Sequence, residues 1–266
     1  MNIISKTLQK QSSNCSLVPF ITAGYPTLQV TAEALCLLDS KGADVVELGI
    51  PYSDALADGP TIQEASKIAI NQGIYLDEIL CLLGNVIPQI TTPIVIFTYY
   101  NPVLATGVVQ FISKISKVGV SGLIIPDLPL EEMDYIIQLC ASFNIELILF
   151  IAPTSSESRI ESILSKSPGC IYLVSSNGVT GMDQEVDYQI NHLIKIIRNQ
   201  SKKSIMLGFG IADTDQACHA SKLDVDAIVV GSAFIRKMGF HLQQNTSSIL
   251  DIGIFCEQLK LAISKK

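Results

Sequence analysis

Short apolar runs rich in β-branched residues recur along the chain, and segments with helical periodicity separate them. In the first such segment, Val30, Ala34, Leu37 and Leu38 fall on one helical face, and Lys41-Gly42 ends the helix. The apolar runs predict eight strands, at residues 17–22, 44–48, 93–98, 122–125, 146–151, 170–174, 204–207 and 227–230. Eight strands alternating with helices predict an α/β fold, a closed parallel (β/α)8 barrel.

The length of the chain fits one domain of this kind. A (β/α)8 barrel takes roughly 250 residues, and this chain has 266. No low-complexity tract, Pro- or Ser-rich bridge or block of like charge marks a linker, so we expect a single barrel domain over residues 1–266. The first eight residues predict an extra N-terminal helix, and residues 248–263 predict the helix that completes the outer ring.

Composition excludes several classes of function. Mean hydropathy is +0.40, but the richest apolar runs, 145–152 and 227–235, are far shorter than the roughly 20 residues of a membrane span. A net charge of −7 offers no basic patch for nucleic acid. Seven scattered cysteines without a C-x-x-C pair indicate free thiols in a reducing compartment. The three histidines lack metal-ligand spacing, so no metal is expected.

Two carboxylates near the second predicted strand suggest proton transfer. Glu47 interrupts an apolar run and so lies either in a polar cavity or in a desolvated position that raises its pKa. Asp58 follows eleven residues later in a loop. Alone, Glu47 could form a structural ion pair, and Asp54 and Asp58 could be ordinary turn or helix-capping residues. Together they favour acid-base chemistry.

Loops at the carboxyl ends of the last strands predict a phosphate site and a lid. Barrels commonly bind phosphate between the loops after strands seven and eight, where this chain has Gly208-Phe209-Gly210 and Gly231-Ser232. Backbone N–H groups and a short helix beginning near Ser232 would hold the anion without a basic side chain. After strand six, Gly178-Val179-Thr180-Gly181 has the composition of a lid that closes over a ligand. The alternative for each loop is a plain glycine turn.

With these residues assembled, the chain resembles the tryptophan synthase alpha subunit family over essentially its whole length. The motifs that carry the resemblance are Glu47-Leu48-Gly49-Ile50-Pro51-Tyr52-Ser53-Asp54, Leu56-Ala57-Asp58-Gly59-Pro60-Thr61-Ile62-Gln63, Pro126-Asp127-Leu128-Pro129, Gly178-Val179-Thr180-Gly181, Gly208-Phe209-Gly210-Ile211 and Val230-Gly231-Ser232-Ala233. The resemblance implies a lyase that cleaves indole-3-glycerol phosphate by a retro-aldol reaction to indole and glyceraldehyde 3-phosphate, in tryptophan biosynthesis.

The resemblance also implies a role for each site residue. Glu47 would match the general acid-base residue, and Asp58 the carboxylate that accepts the indole N–H. The remaining substrate-binding positions are implied to be Phe20 and Tyr99 at the indole, Tyr172 near the acid-base pair, and Thr180, Gly181, Phe209, Gly210, Gly231 and Ser232 at the lid and phosphate.

A partner subunit follows from the same resemblance. Family members pair with a beta subunit that binds pyridoxal phosphate, in an αββα tetramer, so this chain is expected to need no cofactor of its own. The interface is implied to include Asp54, Asn101, Pro102 and Pro129. Two positions depart from the family pattern. Ala55 replaces a usual Pro, which leaves the loop before Asp58 less restricted, and Ser176 stands where some members have Arg.

Two other functions and two compartments stay open at this point. The chain could be a catalytically weak alpha chain that mainly activates its beta partner, or another indole- or sugar-phosphate enzyme with the same barrel. The N-terminus has neither signal-peptide nor transit-peptide character. A composition biased toward Ile, Asn, Ser and Lys suits an AT-rich genome, which favours a bacterial cytoplasm or the plastid stroma.

Overall fold

A computed structural model describes residues 2–10, 15–174, 184–208, 210–244 and 249–264. Each of its eight strands pairs in parallel with the next, and β8 pairs with β1, which closes the barrel. This confirms the predicted (β/α)8 fold. The strands are β1 Ser16–Thr22, β2 Val46–Gly49, β3 Ile94–Phe97, β4 Gly122–Ile124, β5 Glu146–Ile151, β6 Ile171–Val174, β7 Ile205–Gly208 and β8 Ala227–Val230.

The helices surround this barrel, and there are more of them than a simple alternation of one strand with one helix would give. The connections after β2 and β3 each contain two α-helices where the sequence predicted one. The predicted N-terminal helix is present as α1. The helices are α1 Ile3–Lys10, α2 Leu28–Ser40, α3 Pro60–Asn71, α4 Leu76–Val86, α5 Tyr100–Thr106, α6 Val108–Lys117, α7 Met133–Ser142, α8 Glu157–Lys166, α9 Gln184–Gln200, α10 Thr214–Ala220, α11 Ser232–Gln244 and α12 Leu250–Ser264, with a 3-10 turn at Ile87–Gln89.

Predicted and observed boundaries differ by one or two residues where polar side chains act at strand and helix ends. Thr27 lies just outside α2, because its hydroxyl caps the helix by accepting from the Val30 N–H at 3.2 Å. Asp44 was expected to begin β2 but precedes it. Its carboxylate accepts from the Leu17 N–H at 2.7 Å and pairs with Lys260, so it joins β1 to α12.

A buried carboxylate attaches α1 to the amino end of the barrel. Glu146, the fully buried first residue of β5, accepts from the Ser5 N–H at 3.0 Å, from the Ser5 hydroxyl and from the Cys170 N–H at 2.9 Å. Helix α1 therefore closes one end of the barrel and leaves the carboxyl ends of the strands for a site.

Strand register determines which side chains face that site. Phe20 is the register partner of Glu47, which is in turn the partner of Val95. Because side chains alternate along a strand and register partners share a face, Phe20, Glu47 and Phe97 all point into the barrel. The described helices include none with the length and apolar character to cross a membrane.

Candidate active site

Glu47 lies in the barrel interior, where it is almost completely desolvated. It is 1% exposed, and its Oε2 atom has no hydrogen-bond partner among the described residues. Burial, together with the negative charge of Asp58, raises the pKa of the Glu47 carboxyl to about 8. Of the two environments that the sequence left open for Glu47, a polar cavity or a desolvated position, the structure has the desolvated one, and its raised pKa favours the protonated form at neutral pH.

Asp58 is held at the same end of the barrel by its own loop and by Tyr99. The Tyr99 hydroxyl accepts from the Ala57 N–H at 3.0 Å and donates to the Asp58 carboxylate. Burial raises the pKa of Asp58 to about 6, against the lowering effect of the Tyr99 hydrogen bond. Gln63, on the first turns of α3, fixes the loop by donating from Nε2 to the Ala55 and Asp58 carbonyls at 3.1 and 2.9 Å.

These two environments keep the carboxyl groups in different protonation states. At neutral pH Glu47 keeps its proton, whereas Asp58 is mostly ionised, because their pKa values are about 8 and about 6. A neutral acid beside a carboxylate in an apolar pocket can donate a proton while the second group stabilises the resulting positive charge. The pair therefore suits proton transfer to an electron-rich carbon.

Aromatic rings line the pocket around these carboxyl groups. The rings of Phe150 and Tyr172 stack with centroids 4.4 Å apart, and Phe97 packs edge-on against Phe20, Tyr99 and Phe150 at 5.7, 6.1 and 6.3 Å. Phe20, Tyr99 and Tyr172 were predicted from the sequence, but Phe97 and Phe150 were not. Strand parity could have found Phe97, which precedes Tyr99 by two residues, whereas Phe150 is recognisable only from the structure, as the register partner of Tyr172.

Two glycines make room for the predicted rings. A Cβ atom on Gly49 would lie 2.6 Å from Phe20 Cζ, and one on Gly208 would lie 2.8 Å from Tyr172 Cε1. Tyr172 is buried, and its pKa is raised well above the ordinary value by burial and by the charges of Glu47 and Asp58. Its hydroxyl therefore stays protonated near the acid-base pair.

The predicted phosphate site is described only in part. Gly210 has φ +67°, a left-handed conformation that suits glycine. Gly231 follows β8, and the thirteen-residue helix α11 begins at Ser232, so the predicted helix start is confirmed. The N–H groups of its first turn carry the positive end of the helix dipole. Phe209, Thr180, Gly181 and Ser176 lie outside the described residues.

The predicted interface residues lie on the rim, on the loops and helix that follow β2, β3 and β4. Asp54, Asn101 and Pro129 are exposed, and Pro102 is half-buried. The Asn101 amide donates to the Tyr52 hydroxyl at 3.0 Å, which connects two of these loops. Leu56, for which the sequence suggested no role, is 91% exposed beside them. Leu56 therefore adds one accessible apolar side chain to this polar rim.

The described residues contain no cluster of three or more His, Cys, Asp or Glu that could hold a metal ion. What distinguishes the site is instead one protonated and one ionised carboxyl group, an aromatic pocket, and glycine loops at the ends of β7 and β8.

Comparisons with known proteins identify the family of this chain. The family model for the tryptophan synthase alpha chain matches residues 6–264. A tryptophan synthase alpha chain from Gracilaria tenuistipitata var. liui is 56% identical in a match that covers 99% of this chain and 97% of that protein. One from Cyanothece sp. is 44% identical, and the match covers 96% of this chain and 95% of that protein. The crystal structure of tryptophan synthase subunit alpha from Legionella pneumophila superposes with a TM-score of 0.89 at 29% identity, with complete coverage of both chains. The chain belongs to the tryptophan synthase alpha chain family.

Proposed function

We propose that Glu47 and Asp58 carry out the reaction of this family, the cleavage of indole-3-glycerol phosphate to indole and glyceraldehyde 3-phosphate in tryptophan biosynthesis. The observation that supports these roles is the position of Glu47, 1% exposed and with Oε2 unpartnered among the described residues, beside Asp58 in one aromatic pocket, where burial raises the pKa of Glu47 to about 8 and that of Asp58 to about 6. The reaction needs an acid that can protonate carbon and a neighbouring carboxylate that stays charged.

The proposed steps use Glu47 twice in each turnover, first as an acid and then as a base, and Asp58 once. Protonated Glu47 donates its proton to indole C3, and Asp58 accepts a hydrogen bond from the indole N–H, which becomes more acidic as positive charge develops on the ring. The bond between C3 and the glycerol carbon then breaks, and its electrons restore the indole ring. The Glu47 carboxylate takes the proton of the hydroxyl on that carbon, which becomes the aldehyde, and Glu47 is again protonated.

Binding of the two ends of the substrate follows from the same assignment. Phe20, Tyr99 and Tyr172 would contact the indole. Phe97 and Phe150 would contact it too, since Phe97 joins all these rings into one cluster. Gly210, Gly231 and Ser232 would hold the phosphate, together with Gly181 and Phe209, while Thr180 would close over the site. No step requires a cofactor, and pyridoxal phosphate would belong to the beta subunit.

The beta subunit is the partner of this family, and we propose that it binds the rim formed by Asp54, Asn101, Pro102 and Pro129 in an αββα tetramer, with the exposed Leu56 in the contact. The variant Leu56→Asp should weaken beta binding by about tenfold or more, because it replaces an apolar contact with a charge. Titration of labelled beta subunit measures this, and indole release by the isolated chain should not change.

Relatives from red algae and cyanobacteria suit either the plastid stroma or a bacterial cytoplasm.

Steady-state kinetics of indole release by the purified chain, with and without beta subunit, test the assignment of Asp58. Asp58→Asn should lower kcat by about 10²-fold or more, because neutral Asn cannot stabilise the charge on the indole ring. Glu64→Gln on α3 removes an exposed carboxylate and serves as the control. A change confined to KM in Asp58→Asn would mean that Asp58 only positions the substrate. Turnover by the native chain only in the presence of beta subunit would identify an activator-dependent enzyme.

A further inference from the structure

One buried hydroxyl at the site has no role in the assignment above. Among the described residues, four buried side-chain oxygens lack a hydrogen-bond partner, those of Ser16, Thr22, Thr98 and Glu47. A buried hydroxyl without a partner is unfavourable, and natural proteins rarely retain one without a reason. Glu47 is the proposed acid, so the other three require an explanation.

Of these three hydroxyls, the register places that of Thr22 in the pocket. Phe20 faces the interior, since its ring contacts Phe97, and Thr22, two residues later on β1, shares that face. Ser16 begins β1 at the opposite end of the barrel, and Thr98 has the opposite parity to the inward-facing Phe97. Thr22 is 1% exposed and is the register partner of Gly49, next to the carboxyl end of β2.

The order of strands places Thr22 between the two ends of the proposed substrate. β1 pairs with β2, which carries Glu47, on one side and with β8, which leads to Gly231 and Ser232, on the other. A substrate with its phosphate at the β8 loop and its reacting carbon at Glu47 must cross the end of β1. The part that crosses is the glycerol chain, and Thr22 is the inward-facing residue at this end of β1.

The spacing between Thr22 and Glu47 also suits two neighbouring hydroxyls of one substrate chain. Thr22 lies two residues beyond the register partner of Glu47 on the adjacent strand, which separates their Cα atoms by about 8 Å at ordinary strand spacing and rise. The two side chains make no direct hydrogen bond, so neighbouring hydroxyls of one substrate chain would each meet one of them. Valine has nearly the shape of threonine and would pack in a barrel core at no polar cost, so the hydroxyl is the property to be explained.

We propose that the Thr22 hydroxyl is a positioning group that binds the middle hydroxyl of the glycerol chain, next to the carbon whose bond is cleaved. This inference rests on the proposed function. By fixing that hydroxyl, Thr22 holds the reacting carbon against Glu47, which receives the proton of the neighbouring hydroxyl. Thr22 itself donates and accepts only hydrogen bonds and takes no part in bond breaking.

A two-by-two comparison tests this contact. The native chain and Thr22→Val are assayed for indole release with indole-3-glycerol phosphate and with the analogue in which hydrogen replaces the middle hydroxyl. Removing either hydroxyl alone should lower kcat/KM about tenfold, and removing both should cost little more than removing one, because the same hydrogen bond is lost. Thr22→Ser keeps the hydroxyl and should retain most of the native kcat/KM.

If the two changes lowered kcat/KM independently, so that the two factors multiplied when both hydroxyls were absent, the proposal would be overturned. Full activity of the native chain on the deoxy analogue would overturn it as well. The latter result needs no variant, so it decides the question even if Thr22→Val folds poorly. Thermal unfolding distinguishes this positioning role from a structural one. Thr22→Val should have an unfolding temperature at or above that of the native chain while losing activity. Failure of the acid-base assignment has a different signature, since Glu47→Gln would then release indole from the normal substrate at a near-native rate.

Discussion

Replacing Glu47 by glutamine should stabilise the protein, and the gain should grow with pH. Below pH 4.5 the carboxyl is protonated in folded and unfolded chains alike. As the pH rises, the unfolded chain releases this proton from its ordinary pKa of 4.5, whereas the folded chain keeps it until about pH 8. Folding stability is therefore lost across this window in the native protein, and Glu47→Gln, which has no proton to release, avoids the loss.

The expected size of the effect follows from the two pKa values. Each tenfold difference in proton affinity between the folded and unfolded states is worth about 1.4 kcal/mol. Between about pH 5 and pH 8, the native chain should lose roughly 3 to 4 kcal/mol of stability relative to Glu47→Gln. Asp58 titrates in both proteins, so the difference between them isolates Glu47.

Urea unfolding of both proteins across this pH range measures the effect through the free energy of unfolding in water. Glu64→Gln removes an exposed carboxylate from α3 and controls for the change in net charge. A difference between Glu47→Gln and the native chain that stays constant from pH 5 to pH 8 would refute the reasoning. Glu47 would then be ionised in the folded protein and could not serve as an acid at neutral pH.

Three further predictions concern the groups around this site and at the other end of the barrel. Tyr99→Phe removes the hydrogen bond that lowers the Asp58 pKa, so the acidic limb of the pH profile of kcat/KM should move to higher pH. An acidic limb at the native position would mean that Asp58 does not control this part of the profile. Gly208→Ala should lower kcat/KM by about tenfold, because a Cβ atom there would displace the Tyr172 ring, whereas Gly84→Ala, with 3.9 Å to Val118 Cγ1, should not. Glu146→Ala should lower the free energy of unfolding by about 3 kcal/mol and expose α1 to proteolysis, since it leaves the Ser5 and Cys170 N–H groups without their acceptor. An unchanged proteolysis pattern would show that other contacts hold α1.

The sequence predicted the barrel well because its strands are short, apolar and evenly interrupted. Strands β5 and β8 have the predicted bounds, and the others differ by one or two residues. The second helix in the connection after β3 was not predicted, because α5 is only seven residues long and Gly107 separates it from α6. A short helix of this kind lacks enough turns to display a clear periodicity.

For the site, the sequence identified residues by type and by motif but not by their contacts. Glu47 was recognisable because a charged residue in an apolar strand needs an explanation. The Tyr99 hydrogen bond to Asp58 joins residues 41 positions apart, so no local pattern could reveal it. Phe97 and Thr22 share the parity of the predicted Tyr99 and Phe20, whereas Phe150 looks like an ordinary core residue, and only the register between β5 and β6 places it against Tyr172.

The single-turnover rate of indole formation by Glu47→Gln, at saturating indole-3-glycerol phosphate and neutral pH, tests most directly whether Glu47 transfers the protons. General acid-base catalysis contributes roughly 10²- to 10⁴-fold, so the rate should fall by that factor while substrate affinity stays close to native. A rate within a few-fold of the native rate would contradict the assignment of Glu47 as the acid-base residue.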